Sequence, residues 1–272
     1  MEGRAMGQGA TRVVRMSIDA PCPARLFVRK RYEHAITTID ESNRIVTLLT
    51  MRRLGGPRAF ILEAFPRNAD TMIVRRSNDC IRVADNESIL CVDEATEVFE
   101  TSISPNASFS NVDKEMMRAF LKYFAPAESL AQDYGKNDAV HHMLNNHLST
   151  LKRSESLPII AGYGRGMTPG TDDYLLGLHA GLARMSVADR PRRRVLHENI
   201  EASIIRTTET SGVMLRDALA GSYPEVLVRY CTDPSPCNLL QFIQHGATSG
   251  FDMILGLLAA CSLAENDSNQ HR

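Results

Sequence analysis

The chain has 272 residues, 43% of them apolar and 23% charged, with a formal net charge of −1. That profile excludes a disordered polymer and gives enough length for one large domain or two modest ones, each with a proper core. A near-neutral chain also lacks the clustered cation excess that binding to nucleic acid or an anionic membrane surface requires, so neither is expected as a partner.

In chain order, residues 1–20 read as a flexible N-terminus without the apolar h-region of a secretory signal. Residues 21–110 carry short β-rich runs separated by turn signals. Arg44–Thr50, Ala59–Ala64, Thr71–Arg75, Cys80–Val83 and Ser88–Val92 read as strands, with Gly55-Gly56-Pro57 and Asp85-Asn86 as turns between neighbours. The expectation for this half is a small antiparallel β domain.

From residue 111 to 265 the apolar period lengthens to that of helices. The predicted spans are Val112–Tyr123, with Asn111 or Asp113 as N-cap, then Asp138–Leu151, Asp172–Met185, Arg194–Thr207, Gly212–Ala220, Tyr223–Tyr230, Asn238–His245 and Phe251–Leu263. The basic run Arg190–Arg194 reads as a solvated loop between helices. Residues 266–272 read as a flexible tail. The fold class expected is therefore α+β: an N-terminal antiparallel β-rich domain, then a mainly helical domain with glycine-rich loops at helix N-termini. The longest apolar run, Met253–Ala264, spans about 12 residues and is too short to cross a bilayer. The six cysteines form no C-x-x-C pair, which fits reduced thiols and predicts a cytoplasmic location.

Two loops can carry chemistry. The first, Ala161–Asp173, holds Gly162, Gly164, Gly166 and Gly170 and opens an apolar helix. Glycines there free the main chain to aim its N–H groups at a ligand, and a helix N-terminus adds partial positive charge, so a small anion is the natural guest. Arg165 supplies a guanidinium, and Thr168 and Thr171 supply hydroxyls. Asp172 and Asp173 fall in the first helical turn, where they cap the helix, orient a substrate amide or hold a cation such as Mg²⁺. The second loop, His245–Asp252, repeats the device: Thr248, Ser249 and Gly250 lead into a helix with Asp252 near its first turn. His245 is either an acid/base group or a helix-end cap. Asp173–Ala180 and Asp252–Ala259 share Asp, Leu, Gly, Leu and Ala in register. Thr207, Thr208 and Ser211 form a third polar cluster, read either as ligand-facing or as plain helix surface. His141, His142 and His147 lack the i, i+4 spacing of a helical zinc motif.

At the two loops the sequence resembles a known family. Gly162–Asp173 is similar to the pattern G-x-G-x-G-L-T-P-x-x-D-D, and Gly246–Asp252 to G-H-x-S-G-x-D followed by an L-x-G helix. Both are found in the AllH subunit of oxamate carbamoyltransferase and in the broader family of poorly characterised bacterial proteins around it. The Thr207-Thr208…Ser211 cluster and the stretch Arg44–Phe60 are similar as well. Met167 stands where the family has Leu, Ala247 stands where it has His, and the S-x-R-T phosphate motif of other carbamoyltransferases is absent. The resemblance implies phosphorolysis of oxalurate to oxamate and carbamoyl phosphate, in a complex with other carbamoyltransferase subunits. A non-catalytic anion-binding sensor or scaffold subunit is the alternative, and a homo-oligomer stays open. The residues expected at the site are Asp172, Asp173, Asp252 and His245 for chemistry. The anion falls to Gly162, Gly164, Arg165, Gly166, Thr168, Gly170, Thr171, Thr207, Thr208, Ser211, Thr248, Ser249 and Gly250.

Overall fold

A computed structural model describes residues 10–51, 53–66, 69–76, 87–105, 109–132, 139–164, 166–185 and 190–270; for 264–270 the backbone alone is described. The chain forms two compact units, Met1–Thr101 and Ser102–Arg272.

The first unit contains β1 (Ala10–Ser17), β2 (Ala24–Arg31), β3 (Ala35–Asp40), β4 (Ile45–Thr50), β5 (Ala59–Leu62), β6 (Thr71–Arg76), β7 (Glu87–Val92) and β8 (Glu97–Phe99). It corrects the expected antiparallel domain. Strands run in the order β5-β4-β3-β2-β6-β7-β1, and β1 pairs back onto β5, which closes a seven-stranded barrel. Within that ring β4–β5, β6–β7 and β1–β7 are parallel and the other pairs antiparallel. Alternation of apolar residues defines a strand and its inward face but not its direction, so the mixed ring was invisible to periodicity. Gly55-Gly56-Pro57 does join neighbours, but β4 and β5 run the same way. Gly55 lies under the Phe99 ring, where an added Cβ would sit 2.4 Å from Cζ. The readings of Cys80–Val83 as a strand and Asp85-Asn86 as a turn fall outside the described residues.

The barrel core follows the strand pleat. Val13, Leu26, Ile36, Val46, Leu48, Phe60, Leu62, Met72, Val74 and Leu90 point inward. Strand β5 is buried on both faces, because Ala59 and Ile61 pack outward against Phe99 of β8. Strand β1 bonds β7 through Ala10–Arg12 and β8 through Arg15–Ser17, so two short strands share one of its edges in turn. The closing seam has an extra tie: the Ala59 amide donates to the buried Ser17 hydroxyl at 3.0 Å. Ser17→Ala leaves that amide without an acceptor. It should destabilise the chain by about 1–3 kcal/mol, read from urea unfolding.

The second unit holds α1 (Asn111–Phe124), α2 (Ala139–Lys152), α3 (Gly170–Arg184), α4 (Arg190–Ser203), α5 (Glu209–Leu219), α6 (Glu225–Thr232), α7 (Pro236–Ile243) and α8 (Ser249–Gln270), with a 3-10 turn at Ile204–Arg206. Helix α1 is capped by Ser110, one residue before the expected Asn111, in a box with Asp113. The run Arg190–Arg194 is the first turn of α4 rather than a loop. Strong helix formers there outweigh the like-charge repulsion, which water screens. No helix among the described residues is long and apolar enough to cross a membrane.

Helix α3 is buried along its whole length, as its near-continuous apolar sequence requires. Its main neighbour is α8. Glycines set the approach: a Cβ on Gly177 would lie 1.9 Å from the Met253 carbonyl oxygen, and one on Gly256 would lie 2.1 Å from that of Tyr174. Gly181 faces the Ala260 Cβ in the same register. The two helices therefore run parallel, backbone against backbone, with their N-termini at the same end. The sequence echo of Asp173–Ala180 in Asp252–Ala259 is this contact seen from each partner.

Candidate functional site

Because α3 and α8 are parallel, the two loops that open them meet. The Thr168 and Ser249 hydroxyls share a hydrogen bond of 3.0 Å, and Asp252 Oδ2 lies 3.0 Å from where a Gly170 Cβ would stand.

Asp172 occupies the cradle that the glycine-rich loop forms. The Gly162 amide donates to Asp172 Oδ1 at 2.7 Å, and the Thr207 hydroxyl donates to Oδ2. Thr171 ties the same loop: its hydroxyl donates to the Tyr163 carbonyl at 2.9 Å and accepts from the Tyr163 amide at 3.0 Å. Thr208 donates to the Met167 carbonyl at 2.5 Å and also caps α5, accepting from the Ser211 amide. Thr207, Thr208 and Ser211 thus bracket a helix start instead of lining one helix face, and the two threonines grip the loop. Ser211 is buried, its hydroxyl without a hydrogen-bond partner.

Gly162, Gly164 and Gly166 all hold positive φ, at 83°, 132° and 95°, a region where a side chain strains the backbone. Gly162 also lies against the Arg206 carbonyl, 2.3 Å from a would-be Cβ. Arg165 lies outside the described residues. In the second loop the Gly250 amide donates to the His245 carbonyl, and the Phe251 and Asp252 amides donate to that of Thr248. His245 follows α7 and is half-buried.

Asp173 and Asp252 are each 1% exposed. Burial drives the Asp173 carboxyl up to about 8; the Ser249 and Thr168 hydroxyls oppose that, and the neighbouring charge of Asp252 adds to it. Burial likewise lifts Asp252, to about 6, against hydrogen bonds from Ser129, the Leu130 amide and Thr248. Ser129 donates to Asp252 Oδ1 at 2.7 Å and the Leu130 amide at 2.8 Å. These two residues escaped the sequence reading: they lie in an unpatterned turn more than a hundred positions upstream, and nothing local marks them. Oδ2 of Asp173 and Oδ2 of Asp252 have no hydrogen-bond partner. The arrangement is a pair of buried carboxyls whose environments separate their proton affinities, each with one oxygen unused.

Of the α2 histidines, His147 takes a structural place. His147 is buried beside Asn199 and edge-on to Tyr174, and burial lowers its pKa to about 4. Among the described residues no group of three or more His, Cys, Asp or Glu side chains is placed to hold a metal ion.

A family model described as oxamate carbamoyltransferase subunit AllH matches residues 160–261. Over these residues, less than half of the chain, the sequence is similar to AllH. The AllH-like segment runs from the lead-in to the first loop through the apolar part of α8, so it contains both loops and the whole α3–α8 contact. No curated protein and no solved structure matches the chain.

Proposed function

We propose that the chain is a subunit of a carbamoyltransferase-type enzyme acting on small anionic ureido or oxamate-like substrates, converting oxalurate and phosphate to oxamate and carbamoyl phosphate. One observation carries the reading. The AllH-like segment brings Asp173 and Asp252 together at two adjoining helix N-termini, each with a buried, unused carboxyl oxygen.

In this reaction a phosphate oxygen bonds to the carbamoyl carbon, the C–N bond to the oxamate portion breaks, and the departing nitrogen takes a proton. Two carboxyls with separated proton affinities suit that transfer. Asp173 keeps its proton near neutral pH and donates it to the leaving nitrogen. Asp252 is ionised there and takes the proton from hydrogen phosphate. Thr168 and Ser249 orient Asp173, and the glycine-rich loop with Arg165 holds the anionic ends. Both acids are buried, so turnover requires the site to open to its substrates.

The test is D173N in the complex reconstituted with its partner subunits. General acid catalysis contributes about 10²- to 10⁴-fold, so kcat should fall by that factor while the circular dichroism of the chain stays unchanged. Full activity in a folded D173N chain overturns the assignment. It would instead favour a second reading, a non-catalytic anion-binding sensor or scaffold subunit. In either reading an anion at this loop has to displace Asp172 from the Gly162 amide and Thr171 from the Tyr163 amide.

A further inference from the structure

A cleft of about 330 Å³ opens on α4, away from both loops, lined by Arg190, Arg193, Arg194, His197 and Glu198. The positions repeat at helical spacing, so one face of α4 carries three arginines and a histidine beside a single glutamate. Glu198 pairs with Arg194 at 2.9 Å, but both side chains are well exposed and the pair is weak.

Arg193 is built in more firmly. It stands beside the Tyr223 hydroxyl, which lies 2.9 Å from His179 Nδ1. Tyr223 and His179 are both buried. Burial, helped by the charges of Arg193 and His197, lowers the His179 pKa to about 3, so its ring is neutral. With Nδ1 accepting from Tyr223, the proton sits on Nε2, and that buried N–H has no acceptor. His197, on the cleft wall, stands with its ring 6.1 Å from that of His179. A polar column therefore runs from the cleft into the core, fixing one arginine and leaving one donor unused.

We propose that this cleft binds a small multivalent anion of the phosphate class, with Arg193 as the pre-oriented fork and Arg190 and Arg194 closing on it from the same helix face. Guanidinium forks match tetrahedral oxyanions bidentately, and the cation excess over Glu198 suits a guest of at least two negative charges. The site is independent of the reaction proposed for the two loops.

Titration calorimetry of the full chain with inorganic pyrophosphate, at fixed ionic strength, tests this. Wild-type chain should bind, R190Q/R194Q should bind roughly tenfold more weakly or worse, and E198Q should bind more tightly. Absence of binding to the wild type overturns the proposal. So does equal affinity in a folded R190Q/R194Q chain, which would put the anion elsewhere. Because Arg190 and Arg194 are exposed, their replacement does not threaten the fold; the Tyr223-linked Arg193 is left in place for that reason.

Discussion

Gly177→Ala will destabilise the helical unit severely. The added Cβ would stand 1.9 Å from the Met253 carbonyl oxygen, and main chain cannot step aside as a flexible side chain can. Gly256→Ala meets the same obstacle from the other partner, 2.1 Å from the Tyr174 carbonyl and 2.6 Å from the Leu178 nitrogen. Helix propensity favours alanine by about 1 kcal/mol, but prying two packed backbones apart costs about 3 kcal/mol or more. The melting temperature should drop by roughly 6–12 °C. Gly56→Ala is the control: nothing lies within 4 Å of its Cβ, and the melting temperature should hardly move. A melt of G177A indistinguishable from wild type would show that the two helices do not touch along this line.

Asp173→Asn will flatten the dependence of stability on pH. The folded carboxyl titrates at about 8, well above its ordinary 3.8. Between those values the folded chain holds a proton that the unfolded chain has released. Stability from this group is therefore complete below the unfolded pKa, falls as pH rises through the window, and levels off above the folded pKa. The slope reaches about 1.4 kcal/mol per pH unit. Asp252 acts in the same direction but only up to about 6. Buried neutral His147 and His179 act oppositely, and only near and below 6.5. Urea midpoints from pH 7 to 8 isolate Asp173: the wild type should lose stability across that interval, and D173N should lose less. Parallel lines for the two proteins would mean that Asp173 is ionised in the folded state.

The site's components were legible in the sequence because both loops spell their physics locally. Glycines at 162, 164 and 166 announce positive φ, and Asp173 and Asp252 stand at matching places before matching glycines. The contact itself was not legible: a glycine four residues after each acid is where the two parallel helices touch, but nothing local says that they meet. The partners of the acids were not legible. Asp172 turns back to Gly162 and Thr207, and Ser129 reaches Asp252, through contacts that depend on the whole fold. In the first unit, most of the strands around β4 to β7 could be read from alternation. Strand β1 (ATRVVRMS) and strand β2 (ARLFVRKR) were missed because interspersed arginines and lysine blur the apolar period. Barrel closure depends on register between β1 and β5, some fifty residues apart, and no local pattern records it.

The pairing of α3 with α8 also sets a timetable for biosynthesis. The most deeply buried helix of the unit meets its chief partner only about 80 residues later in the chain. At ordinary translation speeds α3 waits for several seconds with its greasy flank uncovered. A nascent chain in that interval is the form most exposed to aggregation and to capture by chaperones, so expression yield should respond to translation rate between Arg184 and Ser249 more than anywhere upstream.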